Sequence, residues 1–183
     1  MSERGRKTLR YAGWAVLLGA MGAAVHAETG PRGLGQVPDV ATLHRLDIAV
    51  GPRGRELPAG SGSVEAGKAL YAARCAACHG ASGKEGPDTV LVGGQGSLAG
   101  ERPVMTIGSY WPYATTLFDY IRRAMPFPAP GSLTDDEVYA LTAYLLHANG
   151  IVAADTTLDR DRLTAVRMPN HDGFVPDPRP DVP

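Results

Sequence analysis

Cys75-Ala76-Ala77-Cys78-His79 sets two thiols three residues apart, with an imidazole directly after the second. On a helix, Cys75 and Cys78 share a face one turn apart, so both sulfurs can reach the two vinyl groups along one porphyrin edge. His79 is then held against the ring and offers a nitrogen to the iron. Covalent haem attachment is the chemistry this spacing predicts. A redox dithiol wants a βαβ context that is absent from the pattern. A structural zinc site wants a second cysteine pair. A disulfide between i and i+3 on one helix is strained.

Iron held by His79 alone would bind small ligands, whereas iron held on both faces carries electrons. The sulfur and imidazole candidates downstream are Met105, Met125, His147, Met168 and His171. Met125 has the fitting context. It closes an apolar helical pattern, opens a segment stiffened by Pro126, Pro128 and Pro130, and lies 46 residues after His79. A thioether there would raise the reduction potential relative to two histidines. Met105 is the reserve, with core filling as its ordinary role. His147 reads as a packed or surface histidine, and His44 and His171 lie in the terminal arms. No catalytic acid, base or nucleophile stands out.

Three helices must position these groups. The first starts at Ser63 as N-cap with Glu65 in its opening turn, and ends at Gly80. Its Gly67 and Tyr71 would meet the last helix, since a small residue opposite an aromatic permits a close crossing. The second is capped by Thr115 or Thr116, shows Leu117, Phe118, Tyr120, Ile121 and Ala124 as its apolar face, and stops at Met125-Pro126. Arg122 and Arg123 suit its C-terminal dipole; solvation or a haem propionate are the two expected fates of these side chains. The third opens with Thr134-Asp135-Asp136-Glu137, a capping box, and stops at Asn149-Gly150. Residues 80–114 form a glycine-rich loop expected to wrap the haem edge. In it, Tyr110, Trp111 and Tyr113 serve either packing or a partner surface.

The ends of the chain differ in character. Arg4, Arg6, Lys7 and Arg10 precede an apolar run over residues 11–25 and then Val25-His26-Ala27, the pattern of a secretory signal peptide cut after Ala27. That run is 15 residues, short of the roughly 20 that span a bilayer, so no stable membrane span is expected after cleavage. Without residues 1–27 the net charge is about −4, which excludes a nucleic-acid partner that depends on a basic surface. Both cysteines sit in the haem motif. Residues 28–60 read as a Gly/Pro-rich extension with one turn of helix near 40–50, either unattached or lying on a partner. Residues 151–183 read as a Pro-rich extension that frays or lies on another surface. Residues 61–150 form the domain between them.

The order helix, CxxCH, glycine-rich loop, helix, Met-Pro, loop, capped helix resembles a class I cytochrome c domain. Residues 108–116, 119–126, 133–144 and 166–174 carry a narrower resemblance, to the cytochrome subunits of periplasmic sulfite and sulfur dehydrogenases. The resemblance implies an all-α class I cytochrome c fold around one covalently bound haem c, with irregular arms at both ends. It implies cofactor-binding roles for Cys75, Cys78, His79 and Met125, the last two on the iron. It also implies a periplasmic, non-catalytic subunit. That subunit would accept single electrons from a molybdenum-cofactor subunit and pass them to a downstream cytochrome c or oxidase. Some larger relatives carry a second haem domain; this chain has a single CxxCH. A haem enzyme acting directly on a sulfur compound and a free-standing soluble carrier are the alternative readings.

Overall fold

The computed structural model describes residues 36–179. The expected signal peptide, residues 1–27, lies outside them. Contacts divide the chain at Leu43 into two units. Asp39 opens α1 (Val40–Leu46), its carboxylate accepting from the Thr42 N–H at 2.7 Å. The other elements belong to the second unit: β1 (Ser61–Ser63), α2 (Val64–Arg74), α3 (Ala76–His79), α4 (Ala114–Ala124), α5 (Asp135–Ala148), β2 (Thr157–Asp159) and α6 (Arg160–Thr164).

Helix α5 is the element on which α2, α4 and the two strands pack. Thr134 Oγ1 accepts from the Glu137 N–H at 3.3 Å while the Glu137 carboxylate accepts from the Thr134 N–H at 2.7 Å, so the expected capping box forms. Its middle turns are buried all round: Val138, Tyr139, Ala140, Leu141, Thr142 and Ala143 are at most 4% exposed. Helix α2 crosses α5 where the sequence places Gly67 against it. A Cβ on Gly67 would lie 1.9 Å from the Ala140 carbonyl oxygen, and a Cβ on Gly62 of β1 would lie 2.1 Å from the Ala140 nitrogen. Two backbones therefore approach Ala140 from either side at distances only glycine allows. Beside the crossing, the Tyr71 and Tyr144 rings stand 5.1 Å apart, and Phe118 of α4 meets Tyr139 at 4.6 Å.

Helix α2 is capped by Ser63, whose hydroxyl accepts from the Ala66 N–H. It does not run unbroken to Gly80. Cys75 leaves helical geometry at φ −124° and separates α2 from the single turn α3. Helix α4 begins at Ala114, with Tyr113 as its N-cap and no side-chain cap. Neither threonine caps it: the Thr115 hydroxyl instead donates to the Pro52 carbonyl at 3.0 Å.

Residues 50–57 and 158–168 of the flanking segments contribute side chains to the core. Val50 is 5% exposed and Leu57 1%, and Leu158, Leu163 and Met168 are each at most 2% exposed. The C-terminal segment enters through a short antiparallel ladder in which Gly62 faces Leu158. It continues through α6, then a bridge between Tyr113 and Arg167. Residues 174–179 have no regular structure and are exposed.

Candidate functional site: the CxxCH motif and the candidate iron donors

The backbone at the motif keeps the one-turn spacing despite the break at Cys75. The Cys78 and His79 N–H groups both donate to the Cys75 carbonyl, at 3.1 and 3.0 Å. Both thiols are free; Cys75 is half-buried and Cys78 exposed. Burial pushes the Cys75 thiol up to about 11; Arg74 opposes the shift and Cys78 adds to it. It is therefore a neutral thiol near pH 7.

His79 Nδ1 lies 2.9 Å from the Thr89 carbonyl oxygen. A carbonyl can only accept, so Nδ1 carries a proton, and in the neutral imidazole Nε2 is the nitrogen with the lone pair. The imidazole is thus both oriented and left with one nitrogen for a metal, the usual arrangement behind a histidine ligand. The loop that supplies Thr89 is tied back to the motif. The Asp88 N–H donates to the Cys78 carbonyl at 3.0 Å, and the Tyr71 hydroxyl donates to the Gly80 carbonyl at 2.9 Å. Burial first, with smaller contributions from Cys75, Tyr144 and Glu85, raises the Tyr71 hydroxyl to about 12, so it remains a donor at neutral pH.

Met125 sits at the C-cap of α4, its N–H donating to the Ile121 carbonyl at 3.1 Å, and its side chain is half-buried against the core. Met105 is 60% exposed, on a turn pinned by hydrogen bonds from Ser109 Oγ to the Val104 carbonyl and from the Thr106 N–H to Ser109 Oγ. Met168 is buried in the core at 2% exposure. The His147 ring donates to the Val152 carbonyl, and His171 pairs with Asp172 and stacks edge-on against Tyr113.

The donor set fits a covalently held haem. It comprises two free thiols one turn apart, an imidazole with one nitrogen open, and a thioether closing another helix. Leu70, Cys75, Ala76, Leu91, Trp111 and Met125 pack on the core while remaining only partly buried, so each keeps some apolar surface accessible. Among the described residues, no three of His, Cys, Asp and Glu gather as a metal-ion site.

Side chains around this site find partners within the chain. Arg122 and Arg123 both stand in ion pairs, Arg122 largely buried and Arg123 with 47% of its side chain still exposed to solvent. Arg122 Nε pairs with Asp135 at 3.0 Å, and Arg123 grips the Asp119 carboxylate with two nitrogens, at 2.9 and 2.6 Å. The aromatics of residues 110–113 chiefly pack within the chain. Tyr110 stacks edge-on with Phe174 at 5.4 Å and Trp111 with Tyr120 at 5.6 Å.

One organiser escaped the sequence reading. Asn149 is buried and stitches the glycine-rich loop to the end of α5. Its Oδ1 accepts from the Gly93 N–H, its Nδ2 donates to the Leu91 and Leu145 carbonyls, and its own carbonyl accepts from the Gln95 amide. In the sequence, Asn149-Gly150 signals only a helix stop.

A cytochrome c family model matches residues 64–149. Among solved structures, the chain is similar to the sulfane dehydrogenase SoxCD from Paracoccus pantotrophus. The match has 48% identity and a TM-score of 0.75, and covers 81% of this chain and 74% of the other. A search of curated proteins gave no match. Among the described residues, no helix is long and apolar enough to cross a membrane.

Proposed function

The chain belongs to the cytochrome c family, and from that premise we propose that it is an exported one-electron carrier subunit. It would take electrons one at a time from a molybdenum-cofactor subunit that oxidises sulfite or another reduced sulfur compound. It would deliver them to a downstream cytochrome c or oxidase in the periplasm. The observation that carries this reading is the likeness to the sulfane dehydrogenase chain, which extends beyond the 64–149 cytochrome core.

Cys75 and Cys78 would hold one haem c through thioether bonds, with His79 Nε2 and the Met125 sulfur on the iron. The haem supplies a one-electron iron couple when bound. The chain's own residues do the rest. Thr89 fixes the tautomer and plane of His79. Tyr71 and Asp88 tether the loop to the motif. Buried Val92, Ile107 and Ile121 help exclude water from the interior. Met125 rather than Met105 is assigned to the sixth position, because Met125 packs on the core while Met105 turns outward.

The deciding experiment mixes oxidised holoprotein with sulfite, with and without a purified molybdenum sulfite dehydrogenase from the same source, and follows absorbance. Reduction that requires the partner and saturates with cytochrome is the expected result. Fast reduction by sulfite alone would make the chain a haem enzyme in its own right. No reduction in either mixture would remove sulfite as the source of its electrons.

A further inference from the structure

Residues 48–52 lie along α4 in a regular register. Arg122 Nη1 donates to the Ile48 carbonyl at 3.1 Å, the Val50 N–H donates to Asp119 Oδ1 at 2.7 Å, and Thr115 Oγ1 donates to the Pro52 carbonyl at 3.0 Å. As the segment advances through 48, 50 and 52, the helix positions descend through 122, 119 and 115. The two therefore run antiparallel. Two extended residues advance about 6.5 Å and one helical turn about 5.4 Å, so alternate strap residues can meet one face of the helix. Val50 and Leu57 anchor the strap in the core. Arg122 also pairs with Asp135 of α5, and Asp119 also holds Arg123, so strap, α4 and α5 are joined around the last two turns of α4. Those turns end at Met125.

We infer that this strap is a positioning device for Met125, with Asp119 as its principal positioning residue. The inference rests on the assignment of Met125 to the iron. A neutral thioether ligates weakly, so its occupancy depends on how firmly its backbone is held; bonds that brace a metal ligand typically change affinity about 10–100-fold. The Asp119 carboxylate is bonded to the Val50 N–H and to Arg123. It acts by joining the Val50 N–H of the strap to Arg123 of the helix end.

The test compares wild-type, Asp119→Asn and Met125→Ala holoproteins. It reads carbon monoxide binding to the reduced form, the thioether-to-iron charge-transfer band of the oxidised form, and helix content by circular dichroism. Met125→Ala should lose the band and bind carbon monoxide readily. Asp119→Asn should keep its haem and helix content, weaken the band, and bind carbon monoxide roughly tenfold more readily than wild type. A Met125→Ala protein indistinguishable from wild type would overturn the ligand assignment. An opened Met125→Ala beside an Asp119→Asn protein that is merely less stable, with band and carbon monoxide binding unchanged, would overturn the strap inference alone. If Asp119→Asn yields no folded holoprotein, Thr115→Val deletes only the hydrogen bond to Pro52 and is read by the same criteria.

Discussion

Tyr71 shows how one hydroxyl links packing to the site. Its ring fills the α2–α5 crossing and its oxygen holds the Gly80 carbonyl directly after His79. Tyr71→Phe keeps the ring and leaves that carbonyl without its partner, a loss of about 1–3 kcal/mol when the group is buried. Denaturant titration should register it as a lower midpoint with an unchanged slope. The pH dependence has a definite sign. The folded hydroxyl is raised from 10.0 to about 12, so its contribution is complete below pH 10 and is lost as the pH rises toward 12. The stability difference between wild type and Tyr71→Phe should therefore shrink across that alkaline window. A constant difference would show that the hydroxyl does not titrate with folding.

Among the elements, the α2–α5 crossing sets the tightest constraint. In an isolated helix Gly67→Ala would gain about 1 kcal/mol of propensity. Here the added methyl meets the Ala140 carbonyl and the Tyr144 Cβ, forcing the helices apart at an overpacking cost of typically 1–3 kcal/mol. A lower thermal midpoint for Gly67→Ala is the expected outcome; a higher one would mean that the crossing relaxes freely. This contact was legible in sequence because both of its signals are local: a glycine in a helical pattern and an aromatic one turn later. The capping box at Thr134 and Glu137 and the CxxCH motif were legible for the same reason. The strap and the tail were not. Leu57, Leu158, Leu163 and Met168 follow no helical or strand period that would mark an inward face, and Val50 only closes the weak apolar pattern of residues 40–50. Their burial comes from docking against α4 and α5, which no local pattern encodes. Thr115 misled in the same way, since a hydroxyl that suits a cap was used for the Pro52 carbonyl.

Over the whole molecule, the cytochrome core is not closed by residues 64–149 alone. Leu158, Leu163 and Met168 cover its surface, each worth about 1.5–3 kcal/mol when fully buried. A chain ending at Gly150 should therefore yield holoprotein that is expanded and readily cleaved in limited proteolysis. A chain ending at Gly173 should remain as resistant as the full length. Equal resistance in both would reduce the tail to an appendage. Ala140 carries a further consequence, in the domain of hydrogen exchange. With the glycine backbones of α2 and β1 seated on either side of it, and Tyr139 to Ala143 almost fully buried, no small opening brings solvent to these amides. They should exchange only when the entire unit unfolds. The exposed turn around residues 100–104 should exchange by local fraying, orders of magnitude sooner. The slowest amides of α5 thus form an internal gauge of global stability, against which every substitution proposed above can be read in a single native-state experiment.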